Sequence, residues 1–156
     1  MVRVPLPDEV EKIAQLYHDV WHEAEAGFAP EVERSRRTLM YFVERIQPFI
    51  STTLIAEATD GLAGFVSWRG NYLGQLYVRA PYRGHGHAAD LLAAAERAMA
   101  AAGALEAELH CYVGNHRAHR FYVGNGWRDD GLITKPMADA GGARDVPSWR
   151  MRKRVQ

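Results

Sequence analysis

Leu73-Gly74-Gln75-Leu76-Tyr77-Val78, then Pro81-Tyr82-Arg83-Gly84-His85-Gly86-His87-Ala88, is the stretch on which the fold of this 156-residue chain turns. The first run reads as a strand, the second as a glycine turn, and an alanine-rich helix pattern follows from about Gly86 to Ala102. The first turn of a helix carries N–H groups without intrahelical acceptors, and the helix dipole adds partial positive charge there. A phosphate satisfies both. Gly84 and Gly86 let backbone approach such a group where a Cβ would stand in the way, and Arg83 adds a permanently charged donor. An ordinary strand-to-helix connection has the same composition, so the turn needs a second signal.

Two nucleotide-binding patterns fail on the same residues. A P-loop requires Lys and then Ser or Thr after its last glycine, and neither follows Gly86. A dinucleotide fingerprint needs three glycines in Gly-x-Gly-x-x-Gly order, and Arg83-Gly84-His85-Gly86-His87-Ala88 has another spacing.

That spacing, Arg-x-x-Gly-x-Ala, resembles the acetyl-CoA pyrophosphate signature of the GNAT superfamily of N-acetyltransferases. Downstream, Asn115-His116-Arg117-Ala118-His119-Arg120-Phe121-Tyr122, ending in Gly124-Asn125-Gly126-Trp127, looks like that family's Asn-x-x-Ala-x-x-Phe-Tyr element followed by Gly and an aromatic residue. The ordered pair of motifs is far more specific than either alone. The resemblance implies an α/β fold with a mixed central sheet of about six to seven strands, about four flanking helices, and central strands that splay apart to admit pantetheine. The whole chain, 1–156, is then expected to be one acetyltransferase domain.

By the same resemblance, acetyl-CoA would be held by Leu76, Tyr77 and Val78 of the strand and by Arg83, Gly84, His85, Gly86, His87 and Ala88 of the turn. Asn115, Ala118, Phe121 and Tyr122 of the second motif would complete the site. Asn115 also suits a helix N-cap, and the two uses are compatible. His85 and His87 would add to phosphate neutralisation, or simply face solvent as loop histidines do. Tyr122 stands where the family places a general acid. A phenol with a pKa of about 10 suits protonation of a leaving thiolate whose conjugate acid is similarly weak. The alternative for Tyr122 is a packed aromatic beside Phe121. The backbone N–H of Val78 is the donor that the resemblance supplies for charge developing on the thioester oxygen.

An attacking amine must be neutral, which calls for a base. Many relatives carry a Glu in the strand that here reads Gly74-Gln75-Leu76-Tyr77, and this chain has no carboxylate there. His110 is the first candidate base, with Glu57 and Glu23 behind it, and a purely structural His110 is the competing reading. Cys111 has no activating motif and direct transfer needs no acyl-cysteine, so it reads as a small core residue.

Composition argues against a nucleic-acid or membrane protein. Lys plus Arg and Asp plus Glu each number 19, so no overall positive charge draws the chain to nucleic acid or anionic lipid. No apolar run approaches membrane-spanning length, the first residues lack a secretory layout, and one cysteine forms no intramolecular disulfide. A cytoplasmic location is expected. His18 and His22 stand four apart like metal ligands but lack a third partner at a convincing spacing, so no metal is assigned.

Around the central stretch, Val2 and Val4 suggest a short first strand. Val10 to Trp21 suggest an amphipathic helix, and Val32 to Ile46 a second helix ending before Pro48. The break between these helices carries His18, Asp19, His22, Glu23, Glu25 and Phe28, and by resemblance it walls the acceptor pocket. Thr52–Ala58 and Leu62–Trp68 read as a hairpin turning at Thr59-Asp60-Gly61, and Ala104–Val113 reads as the strand after the alanine-rich helix. Arg128–Thr134 and Ser148–Val155 read as strands, with Met137–Pro147 loose and glycine-rich between them. The partners implied are acetyl-CoA and an amine acceptor, either a small molecule or a protein amino group, with a homodimer left open. A silent CoA-binding sensor is the alternative from another class. A transferase of longer acyl groups is a third reading, with room expected near Trp68, Tyr77 and Tyr112.

Overall fold

The computed structural model describes residues 1–139 and 142–156. In chain order it contains β1 (Val2–Arg3), α1 (Val10–Ala24), α2 (Glu31–Arg36), α3 (Leu39–Ile46), β2 (Thr53–Ala58), β3 (Gly61–Arg69) and β4 (Tyr72–Val78). Then come α4 (His87–Ala101), β5 (Glu106–Tyr112), α5 (His116–Gly124), β6 (Arg128–Asp139) and β7 (Gly142–Arg154). The seven strands form one mixed sheet in the order β1-β2-β3-β4-β5-β7-β6. The expected hairpin, the antiparallel β3–β4 pair and the parallel step across α4 are all present. Among the described residues no helix is long and apolar enough to cross a membrane.

Each face of the sheet is covered by helices that bury one stripe. On one face α1 and α3 bury Ile13, Tyr17, Trp21, Phe42 and Ile46 against Ile55 and Phe65. On the other, α4 presses Leu91, Leu92, Ala95 and Met99 onto Ala63, Val66, Leu109 and Met151. The alanines of α4 explain its close approach, since a methyl group fills little space and costs no side-chain entropy. Burying a large apolar side chain contributes roughly 1.5–3 kcal/mol, so both layers matter to stability.

The sheet opens in its centre. β4 and β5 register at one Cα pair, Tyr72↔Glu108, supported by Glu108 N donating to Asn71 O at 2.9 Å and Asn71 Nδ2 donating to Glu106 O at 3.0 Å. Beyond that pair no ladder joins them, whereas β5 stays paired to β7 from Glu106 to Tyr112. The strands therefore part toward Val78 and Tyr112. On the other side of β4, a Cβ on Gly64 would lie 2.5 Å from Tyr77 O, so only glycine lets β3 run this close to the open edge.

Two segments differ from the sequence reading. The second helix divides into α2 and α3, because Arg37 leaves helical geometry (φ −84°, ψ 68°) and Thr38 starts a new helix by accepting a hydrogen bond from Tyr41 N. Met137–Pro147, expected as loose, belongs largely to a long β6–β7 hairpin whose pairing reaches Asp139↔Gly142; residues 140 and 141 lie outside the described residues. Glycine and proline argue against a strand by propensity, but cross-strand pairing prevails here. Pro136 is tolerated because β6 is the outermost strand, so its missing N–H need not belong to a second ladder.

Candidate active site

A cleft of about 900 Å³ occupies the opening between β4 and β5. One wall is β4 from Tyr72 to Val78, the opposite wall is Leu109 to Tyr112 of β5, and the far end is closed by α5. The start of α4 meets it at the Val78 end, α1 runs over it with its C-terminal end reaching Tyr77 and Arg83, and α3 contributes Arg45.

At the Val78 end the glycine turn has the geometry its sequence demands. Gly84 and Gly86 adopt φ of +80° and +87°, a region that costs other L-residues about 1–2 kcal/mol, and a Cβ on either would meet nothing within 4 Å. Gly86 caps α4 without any side-chain hydrogen bond, so the first N–H groups of the helix point at open space. These residues fit a pyrophosphate. Arg83 is partly committed: its Nε donates to Val78 O at 3.1 Å and Nη1 to Glu23 at 2.9 Å, while buried Nη2 has no partner. His87 lines the cleft edge-on to Tyr82, and His85 is exposed and not among the lining residues.

Leu76, Tyr77, Val78, Arg83, Gly84, Gly86, His87, Ala88, His110, Asn115, Ala118, Phe121 and Tyr122 all line the one cleft. Asn115 caps α5 by accepting from Ala118 N at 3.3 Å. Tyr122 is 9% exposed, stands edge-on to Phe121 and Trp127, and among the described residues its hydroxyl has no protein hydrogen-bond partner. Burial, reinforced by the neighbouring Cys111 and Glu25, pushes its phenol well above the ordinary range, so it keeps its proton at any physiological pH. The Cys111 thiol in the same cleft is pushed up to about 12 by burial, which removes it as a nucleophile near neutrality.

His110 sits at the narrow end of the opening with both ring nitrogens engaged. Nε2 faces Glu108 at 2.9 Å and Nδ1 faces the Tyr72 hydroxyl at 3.3 Å, which in turn accepts from Lys135 Nζ at 3.2 Å. Burial lowers its pKa, and the Glu108 carboxylate only partly offsets this. Glu57 pairs with Arg3 at 2.7 Å near the β1 edge, outside the cleft, and Glu23 is held by Arg83. His18 is bonded to Asp19 at 2.8 Å and His22 donates to Arg37 O at 2.7 Å.

The carboxylate absent from β4 is supplied by the end of α1. Glu25, whose N–H caps the helix by donating to Trp21 O, lines the cleft and accepts from the Tyr77 hydroxyl at 2.9 Å across 52 residues of sequence. It is half-buried against aromatic walls. Burial raises its pKa to about 7, against the lowering influence of Tyr77 and, more weakly, Arg37 and Arg117. Sequence reading placed Glu25 at the acceptor pocket but passed over it as a base. Only the tertiary meeting of α1 with Tyr77 distinguishes it from Glu23, and no local signal records that meeting.

The family model described as Acetyltransferase (GNAT) family matches residues 13–127. The chain belongs to the GNAT acetyltransferase family. A GCN5-related N-acetyltransferase from Rhodopseudomonas palustris is similar to it over 99% of this chain and 94% of its own, at 21% identity and TM-score 0.77. The PaiA N-acetyltransferase of Thermoplasma acidophilum, solved in complex with coenzyme A, is similar over 99% and 98%, at 22% identity and TM-score 0.75. Chaetomium thermophilum Naa20, solved with a bisubstrate analogue, is similar over 99% and 86%, at 20% identity and TM-score 0.72. No curated protein sequence matches the chain significantly. For this GNAT protein the family implies acyl-CoA-dependent acetyl transfer, and the mixed sheet with its opened centre is the family fold.

Proposed function

We propose that this GNAT protein transfers the acetyl group of acetyl-CoA directly to a primary amine, with Glu25 as the base and Tyr122 as the acid. The observation that carries the reading is that a carboxylate with a pKa near 7 and a buried, permanently protonated phenol line one cleft between splayed strands. Coenzyme A bound by the Thermoplasma relative supports the same co-substrate here.

The α4 N-terminus, Gly84, Gly86 and Arg83 Nη2 bind the pyrophosphate. Leu76 and Val78 offer backbone groups to the pantetheine arm, and Asn115, Ala118 and Phe121 bound it on the far side. Glu25 takes the proton that an ammonium acceptor must lose before its nitrogen forms the new bond to the acetyl carbon. The Val78 N–H faces the charge developing on the carbonyl oxygen. Tyr122 gives its proton to sulfur as the carbon–sulfur bond breaks. A raised phenol pKa suits that role, because a thiolate leaving into the same dry cleft is raised by the same desolvation that acts on Cys111. His110, engaged at both nitrogens, fits a relay to solvent through Tyr72 better than first contact with the amine.

The test is calorimetric titration with acetyl-CoA followed by thiol release across a panel of amines. Amine-dependent release at a rate that rises as pH passes about 7 is expected. Tight acetyl-CoA binding without release from any amine would favour a CoA sensor instead. No binding at all would remove the co-substrate assignment.

A further inference from the structure

The walls of the cleft carry an imbalance of charge that direct acetyl transfer does not explain. Toward its Tyr72 end it is lined by Arg45, Arg69 and Lys135, Arg37 lines it where Trp21 stands, and Glu25 is its sole carboxylate among the described lining residues. These cations are not placed for the co-substrate's phosphates. Tyr72 and Val78 are the two ends of β4, six residue steps or roughly 20 Å apart, and the glycine turn stands at the Val78 end.

Three of these cations, Arg45, Arg69 and Lys135, also lack an ion-pair partner among the described residues: Arg69 lies over Phe49 at 4.4 Å, Arg45 over Tyr41 at 5.5 Å, and Lys135 donates to the Tyr72 hydroxyl. Arg37 is more telling. It is 9% exposed, its guanidinium stacks 4.2 Å above Trp21, and its buried Nε has no hydrogen-bond partner. Its ion-pair partner Glu33 stands 3.6 Å away, beyond hydrogen-bond distance, and the Glu25 carboxylate feels the Arg37 charge. A buried guanidinium with an unused donor is costly unless something arrives to satisfy it. Burial and the charge of Arg45 depress the Lys135 pKa, and the Glu108 carboxylate only partly offsets them.

We propose that the acceptor is a primary amine that also carries a carboxylate, its ammonium drawn to Glu25 and its carboxylate to Arg37 and the Arg45, Arg69 and Lys135 cluster. This inference rests on the transferase reading for its amine but not for its carboxylate. Guanidinium groups take carboxylates in bidentate fashion, and Arg37, fixed by its stack on Trp21, is preorganised to do so. A polycationic acceptor would meet repulsion from four side chains and attraction from one.

Matched pairs test this with the full chain under saturating acetyl-CoA: free amino acids against their carboxamides, a peptide beginning with glutamate against one beginning with glutamine, and a linear polyamine. Carboxylate acceptors should exceed their amides at least tenfold in kcat/KM. A preference among the amino acids identifies a free amino acid as the source, and one among the peptides identifies an acidic N-terminus. Arg37→Gln should cut the carboxylate-to-amide ratio about fivefold or more, chiefly through KM. Exposed Arg45→Gln gives a second reading should Arg37→Gln fail to fold. Calorimetry with N-acetyl amino acids and their amides in the presence of CoA reads the same preference without turnover. Carboxylate-selective binding weakened by Arg37→Gln, without thiol release from any amine, keeps the proposal and removes the transferase reading. Equal use of amides, preference for the polyamine, or no carboxylate binding overturns it.

Discussion

The two ends of the cleft are built on different principles. The Val78 end is a local device: Gly84, Gly86 and the start of α4 lie within a few residues, and their conformation follows from glycine in the left-handed region. The rest of the cleft is a meeting of strangers, with Glu25 from the end of α1 beside Tyr77, Arg37 from the α2–α3 break, and Arg69 from β3 and Lys135 from β6 toward Tyr72. A site made of one contiguous segment can be recognised in a sequence. A site made of four segments exists only once the chain has folded.

The sharpest way to break this comparison is Glu25→Gln. Loss of a general base should lower kcat by about 10²–10⁴-fold while leaving the acetyl-CoA dissociation constant, which the glycine turn sets, within about twofold. The same variant has a stability signature. Because the folded pKa of Glu25 is raised to about 7, burying its ionised form costs stability that grows as pH rises above the unfolded carboxylate value and levels off past 7. Glu25→Gln should therefore melt higher than wild type at pH 8 and equally at pH 4. A variant that loses activity and stability together at pH 8 would count against the assignment.

Tyr122→Phe should lower kcat about 10–100-fold with unchanged co-substrate affinity, as for loss of one positioned proton donor. Full activity across the pH range would return Tyr122 to a packing role. Gly86→Ala probes the local end: strain at φ +87° should cost about 1 kcal/mol in unfolding and weaken acetyl-CoA binding about tenfold or less, with the acceptor KM untouched. Tyr77→Phe should have the smallest effect. It removes the hydrogen bond that holds the Glu25 pKa down, so the midpoint of the kcat/KM profile should move from about 7 to higher pH with little loss at the plateau.

What could be read beforehand divides along the same line. The strand, the turn and α4 were legible because period-2 and period-3.6 patterns meet at two glycines whose chemistry is local. The β6–β7 hairpin was only half legible, since Gly142 and Pro136 speak against strands by propensity and ladder pairing overrides them. The helix break at Arg37 falls in the polar run 33–38 between Val32 and Leu39, where no Gly or Pro marks it, and it turns that guanidinium onto Trp21. His110 was legible as a titratable group on β5, but its contact with Tyr72, 38 residues earlier, was not.

The order of the strands carries a consequence for synthesis. β7 follows β6 in the chain, yet it lies between β5 and β6. Until a ribosome has passed Arg154, β5 keeps an unpaired edge and β6 has no neighbour at all. From the making of β5 until β7 emerges, the nascent protein thus displays a strand-hungry edge, a template for partner chains that β7 must reach first.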